Sequence, residues 1–122
     1  MNKSSPLRLA AYLGHIQEAI ERCHRHVVDM DEMAFLKDTK TQDAVIRTFE
    51  VIGEASNNIK KYFPEFATQH PEVPFGMAIG MRNALSHGYF NVDLEIMWKA
   101  IHGDLPQLHD TVRSLLDTTD RQ

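Results

Sequence analysis

This chain has neither the several cysteines of small secreted proteins nor the long apolar segments of membrane proteins. A single cysteine, Cys23, excludes an internal disulfide and fits a reducing compartment. The sequence has no apolar run long enough to cross a bilayer, and its first residues lack a signal peptide's apolar stretch and cleavage site. We therefore expect a cytoplasmic protein with no membrane partner.

Positive charge does not predominate either, because 13 Lys and Arg face 17 Asp and Glu, and the formal net charge is −4. Proteins that coat a nucleic-acid backbone are usually basic, so broad and sequence-independent binding to DNA is disfavoured. A small local site for one or two phosphates remains compatible with this balance. No glycine-rich phosphate loop is present, so the sequence predicts neither ATP binding by this chain nor a bound cofactor.

The 122 residues form one predicted domain, residues 1–122, of which 43% are hydrophobic. The first predicted helix spans about residues 6–30, with a proline suited to its first turn. One face of it is apolar because such residues recur at steps of three and four. They are Leu9, Leu13, Ile16, Ile20, Cys23 and Val27.

A second predicted helix follows a link over residues 29–41, with Asp38 or Thr39 as its cap and Pro64 as its end. Gly53 lies inside it, where glycine costs up to ~1 kcal/mol relative to alanine. Close helix packing is the use we expect for it. The apolar stripe of this helix comprises Val45, Phe49, Ile52, Ala55, Ile59 and Tyr62 or Phe63.

Residues 64–74 contain three prolines and predict a loop that can include one turn of helix. A third helix begins near residue 75, and Asp93 is a capping signal for a fourth. Pro106 must kink or restart that fourth helix, with Asp104 placed to cap the restart, and residues 117–122 form a predicted frayed tail. The expected fold is an all-α antiparallel bundle of four to five helices.

The side chains of the third helix that could bind or catalyse lie in the stretch RNALSHGYF, residues 82–90. Each helical residue turns by roughly 100°, so Arg82 and Tyr89 lie within about 20° of each other, whereas Arg82 and His87 diverge by roughly 140°. Asn83 and His87 share a face. Arginine and histidine can meet if the helix distorts near Gly88, through the reach of arginine, or across a symmetric dimer.

Two interpretations of these side chains stay open from chemistry alone. Histidine exchanges protons near neutral pH, and arginine offers a planar set of donors to phosphate oxygens. Together they could cleave RNA without a metal, with His87 moving protons, Arg82 stabilising charge on the phosphate and Asn83 orienting either group. The same residue types also cap helix ends and interact with helix dipoles.

The sequence resembles the HepT-like toxins of the HEPN superfamily over most of its length. QDAVIRTFEVIGEASNNI (42–59), PFGMAIGMRNALSHGYFNVDLEIMW (74–98) and LPQL (105–108) are similar to segments of that family. The family pattern is arginine, four residues, histidine, one residue, tyrosine. Arg82, His87 and Tyr89 match it, and Asn83 is the polar residue that follows the arginine.

The resemblance implies a HEPN-like homodimer whose two motifs face a shared cleft. It implies a metal-independent endoribonuclease that acts on RNA as the toxin of a type VII-like toxin–antitoxin pair. The antitoxin would be an MntA-type nucleotidyltransferase that transfers AMP to the motif tyrosine, here Tyr89. Added bulk and negative charge beside Arg82 and His87 would repel a phosphodiester substrate.

A different class of function also fits the motif. The chain could be a non-catalytic subunit that binds nucleotide or substrate for a nucleotidyltransferase complex, or a helical dimer without phosphate chemistry. Other candidates are weaker: His24 and His26 point to different faces, and His102 and His109 share a face only if their helix is continuous. We expect no metal site.

Overall fold

A computed structural model of the protein describes residues 6–86 and 93–120, and within those ranges it contains helices and no strand. The predicted all-α class is confirmed. The helices are α1 (Pro6–Val27), α2 (Glu32–Lys37), α3 (Thr39–Tyr62), α4 (Pro64–Gln69), α5 (Phe75–Ser86), α6 (Leu94–His102) and α7 (Asp104–Asp120).

The two longest helices, α1 and α3, pack side by side in opposite directions. Tyr12 near the start of α1 meets Phe63 just beyond the end of α3, with ring centroids 6.4 Å apart. Cys23 near the end of α1 shares a hydrogen bond with Thr48 in the first half of α3. Both predicted apolar stripes face this contact, and the most deeply buried of their residues are Leu13, Ile16, Ile20, Cys23, Val45 and Ile59.

Two six-residue helices add to the four to five helices that the sequence predicts. The stretch assigned to a link contains α2, whose N-terminus is capped by Asp31 accepting from the backbone N–H of Ala34 at 2.8 Å. Phe35 anchors it with no exposed surface. The predicted turn after Pro64 is α4. A segment of six residues is too short to show helical periodicity, so the sequence did not reveal α2. Burial of the Phe35 ring holds this helix in place.

Most helix boundaries fall where the capping signals predict them. Asp38 caps α3 by accepting from Thr41 N at 3.0 Å, and Asp93 caps α6 through two backbone N–H groups. The fourth predicted helix is interrupted at Gly103, and α7 restarts with Asp104 as its first helical residue rather than its cap. Helix α7 continues to Asp120, so the first four residues of the predicted tail are helical.

The remaining helices surround the α1–α3 pair. Helix α5 packs along α3, α7 packs along α1, and α6 contacts both α7 and α2. In the described ranges, no helix combines the length and apolar character that crossing a bilayer requires. Helix α3 therefore supports the end of α5, where the stretch of residues 82–90 begins.

Candidate active site on helix α5

The four predicted site residues divide into two pairs. Arg82 and Asn83 lie in the second half of α5, where Arg82 is half-buried and Asn83 is exposed. His87 and Tyr89 lie outside the described residues. The segment that carries them is bounded by the end of α5 at Ser86 and by the capped start of α6 at Asp93.

Arg82 and Asn83 contact each other directly. The Nη1 atom of Arg82 donates to Oδ1 of Asn83 at 3.2 Å. The contact places an amide oxygen beside one end of the guanidinium group. Among the side chains that the structure describes, no carboxylate lies within ion-pair distance of Arg82. Its positive charge is therefore not neutralised by the part of the chain that the structure describes.

Glu54 is an acidic residue of the helix that packs along α5. It lies next to Gly53 in α3, but it is exposed and forms no ion pair with Arg82. An acidic residue held against Arg82 would compete with a phosphate for the same donors. Glu54 therefore does not occupy the guanidinium donors of Arg82.

The stem of Arg82 rests on Gly53 of α3. A Cβ atom added at Gly53 would lie 2.1 Å from Cβ of Arg82, 2.8 Å from its Cγ and 2.8 Å from the backbone oxygen of Ala78. The prediction that Gly53 serves close helix packing is confirmed. The sequence did not predict which residue packs against Gly53, because helix periodicity does not indicate the partner helix.

The helices beneath the site belong to the core. On α3, Ile52 and Ala55 are buried beside Gly53, and on α5, Phe75 and Ala78 are buried. The half-buried Met81 packs against the same core. Arg82 therefore extends from a packed helix pair rather than from a loop, which favours a reproducible position for its polar end.

A group of histidines that the sequence did not connect comes from the C-terminal ends of α1 and α6 and from the first half of α7. Burial lowers the pKa of His24 below 6.5, and the nearby imidazoles of His102 and His109 lower it further. Nε2 of His109 lies 2.8 Å from Oε2 of Glu21, which joins α7 to α1. No group of three or more His, Cys, Asp or Glu side chains that could hold a metal ion occurs in the described ranges.

Cys23 is a core residue, as the apolar stripe of α1 indicates. Its side chain has no exposed surface. Burial raises the pKa of its thiol to about 11, although a hydrogen bond with Thr48 opposes the shift. A thiol with this pKa stays protonated near neutral pH, so Cys23 is a poor nucleophile.

Comparisons with known proteins agree with the motif. The family model described as "Ribonuclease HepT-like" matches residues 16–115. The chain is 44% identical over 97 residues to the probable ribonuclease HepT of Thermococcus cleftensis, which covers 80% of this chain and 86% of that protein. A candidate RNase of Caldanaerobacter subterraneus is 36% identical over 105 residues, covering 86% of this chain and 91% of that protein.

A Methanocaldococcus jannaschii protein is 34% identical over 110 residues, or 90% of this chain. Its name combines gamma-glutamylcyclotransferase with a candidate RNase, and the match spans 48% of its length. No solved structure gives a significant match. The family model covers most of the chain, including the helix that carries Arg82 and Asn83, and the chain therefore belongs to the HepT-like ribonuclease family.

Proposed function

We propose that this protein is a metal-independent endoribonuclease. Arg82 binds the scissile phosphate, Asn83 orients the guanidinium and His87 exchanges protons at the reacting oxygens. The observation that carries the proposal is the position of Arg82, half-buried on the α3–α5 pair and without an ion-pair carboxylate in the described ranges. A cation held in this way is suited to an external phosphate.

The proposed reaction uses the ribose 2′-hydroxyl as the nucleophile. Its oxygen attacks the adjacent phosphorus, the bond from phosphorus to the 5′ oxygen breaks, and a 2′,3′-cyclic phosphate forms. One proton leaves the 2′ oxygen and one is delivered to the 5′ oxygen, which is the exchange that a histidine near neutral pH performs. Arg82 stabilises the negative charge that develops on the non-bridging oxygens.

The test is cleavage of RNA and of a matched DNA strand in the presence of EDTA. We expect the RNA to be cut and the DNA to stay intact, because DNA lacks the 2′ oxygen. Arg82→Ala and His87→Ala should each abolish cleavage, whereas Arg113→Ala should retain it, since Arg113 is an exposed arginine of α7 paired with Asp110. RNA that is still cut by both Arg82→Ala and His87→Ala would overturn the assignment.

The proposed active form is a homodimer in which the α5 helices of two copies approach each other. The outer face of α5 supports this, because its small residues Gly76, Gly80 and Ala84 are exposed at four-residue spacing. In the described part of the chain, a Cβ added at Gly76 or Gly80 would meet nothing within 4 Å. Small residues at this spacing allow two helices to pack closely, and Asn83 lies on the same side of α5.

Sedimentation equilibrium tests this interface. Gly80→Arg should give a monomer with unchanged helical circular dichroism, because the new side chain has space within one copy but not between two. Ser114→Arg, on the exposed side of α7, serves as the matched control and should stay dimeric. A Gly80→Arg protein that remains dimeric would exclude this face as the contact.

We further propose that the enzyme is the toxin of a toxin–antitoxin pair and that a nucleotidyltransferase silences it by AMP transfer to Tyr89. Each AMP adds about 329 Da and negative charge near Arg82, which would repel a phosphodiester. Intact mass after co-expression with such a transferase should rise in these steps, and Tyr89→Phe should prevent the rise. An unmodified wild-type protein under these conditions would argue against covalent control.

The second candidate function is a non-catalytic subunit that binds a nucleotide for a transferase. The net charge of −4 favours this alternative, because a small nucleotide demands less positive surface than an RNA strand. Expression of the chain alone separates the two. Growth arrest that depends on Arg82 and His87 supports the ribonuclease, and unimpaired growth supports the passive subunit.

A further inference from the structure

We propose that Gly53 is a positioning residue for Arg82. The backbone of α3 at this glycine forms the floor on which the arginine stem lies, and the absence of a side chain there sets where the guanidinium emerges. This inference rests on the proposed function, since it assigns Gly53 a task at the same site. It goes beyond close packing in that the residue packed against Gly53 is the arginine itself.

The contact involves the rigid part of the arginine. The atoms that a Cβ at Gly53 would meet are Cβ and Cγ of Arg82 and the backbone oxygen of Ala78, all between 2.1 and 2.8 Å away. None of them is the mobile end of a side chain. A rotamer change beyond Cγ therefore cannot relieve the clash, and the two helix backbones have to separate.

The surrounding core limits how the helices can separate. The α3 side is held by the buried residues Ile52, Ala55 and Ser56. The α5 side is held by Ala78, which is 4% exposed, and by the half-buried Met81. Densely packed interiors transmit strain rather than absorb it. A displacement forced at Gly53 is thus passed to α5 and to the direction of Arg82.

Other helical glycines of the chain behave differently. A Cβ added at Gly14 in α1 would meet nothing within 4 Å in the described part of the chain. Gly14→Ala adds the same methyl group in the interior of a helix, where it has no neighbour to displace. Gly14→Ala is therefore the matched control for Gly53→Ala.

The first experiment measures RNA cleavage by wild type, Gly53→Ala, Gly14→Ala and Arg82→Ala, together with the unfolding temperature of each. A misplacement of about 1 Å costs on the order of 10²-fold in rate, so we expect this loss in kcat/KM for Gly53→Ala. Gly14→Ala should keep wild-type activity and an equal or higher unfolding temperature. Full activity of a folded Gly53→Ala protein would overturn the inference.

A second measurement is independent of ribonuclease activity. The Nε–Hε signal of Arg82 in a ¹⁵N NMR spectrum is assigned by its disappearance in Arg82→Ala. Gly53→Ala should shift it and Gly14→Ala should not. An unchanged signal would overturn the inference even if RNA is cleaved, whereas a shifted signal without cleavage by the wild type would leave it standing and remove only the proposed function.

A steric swap covers the case in which Gly53→Ala does not fold. Arg82→Gly removes the Cβ and Cγ that the new methyl group would meet. Gly53→Ala should therefore lower the unfolding temperature less in an Arg82→Gly background than in the wild type, and the double variant should fold even where Gly53→Ala alone does not. If Gly53→Ala is as damaging in the Arg82→Gly background as in the wild type, the arginine stem is not what Gly53 accommodates, and the inference is wrong.

Discussion

The α3–α5 crossing and the histidine group shared by α1, α6 and α7 both collect side chains that carry or can acquire positive charge. At the crossing, Arg82 is permanently charged, and the carboxylates of the described ranges leave it unpaired. In the histidine group, His109 contacts Glu21 at 2.8 Å, so the molecule supplies its own acceptor. The first region is suited to an external anion and the second to holding helices together.

This difference has a physical origin in how each region is supported. Arg82 leaves a packed helix pair over a glycine, which directs its polar end outward. His109 of α7 contacts Glu21 of α1 and so connects these two helices. Loss of a side chain should therefore reduce activity in the first region and stability in the second.

The largest effect is expected for Arg82→Lys. Lysine keeps the charge but loses the planar donor set that matches phosphate oxygens and the hydrogen bond to Asn83. We expect RNA cleavage to fall by about 10²-fold or more, as for removal of one charge-stabilising donor. The unfolding temperature should change little. A cleavage assay with thermal unfolding checks this, and a stable lysine variant of wild-type activity would contradict the proposed geometry.

A smaller effect, on stability, is expected for Glu21→Gln. This change removes the charge that faces His109 while keeping the size of the side chain. The side chains of His109 and Glu21 are 20% and 46% exposed, and the charge in a partly exposed pair of this kind contributes up to about 1 kcal/mol. Urea unfolding should show this loss, while RNA cleavage below the transition stays as in wild type. Glu18→Gln, on the exposed face of α1, is the control.

The smallest effect concerns pH. Because burial and the neighbouring imidazoles lower the pKa of His24 below 6.5, the unfolded chain binds a proton there more readily than the folded chain. The stability contribution of neutral His24 is present above pH 6.5 and is lost as the pH falls through the lower folded-state pKa. His24→Gln should reduce the drop in unfolding temperature between pH 7.5 and 5. An equal drop in both proteins would show that His24 does not titrate in this way.

Local signals predicted much of the architecture. The apolar stripes predicted α1 and α3, and Asp38 and Asp93 predicted where helices begin. Capping and periodicity act within a few residues, so one sequence contains enough to recognise them. Helix α2 was missed because its six residues hold only one core side chain, Phe35.

The candidate site was predictable as a set of residues and not as a geometry. The motif resemblance selected Arg82, Asn83, His87 and Tyr89, and the structure adds the contact between the first two. His87 and Tyr89 lie outside the described residues, so their roles stay predictions. Gly53 was recognised from the sequence as unusual within its helix. Its contact with Arg82 was not predicted, because the two residues are 29 positions apart in the chain.

The amino-acid sequence alone specified an all-helical chain, the ends of its main helices and the family pattern around Arg82. Those features depend on side-chain spacing along one helix and on neighbouring backbone groups. The contact of Gly53 with Arg82 and the meeting of His24, His102 and His109 came from the packed fold. They depend on where separate helices cross, which is set by the burial of the whole core rather than by any single segment.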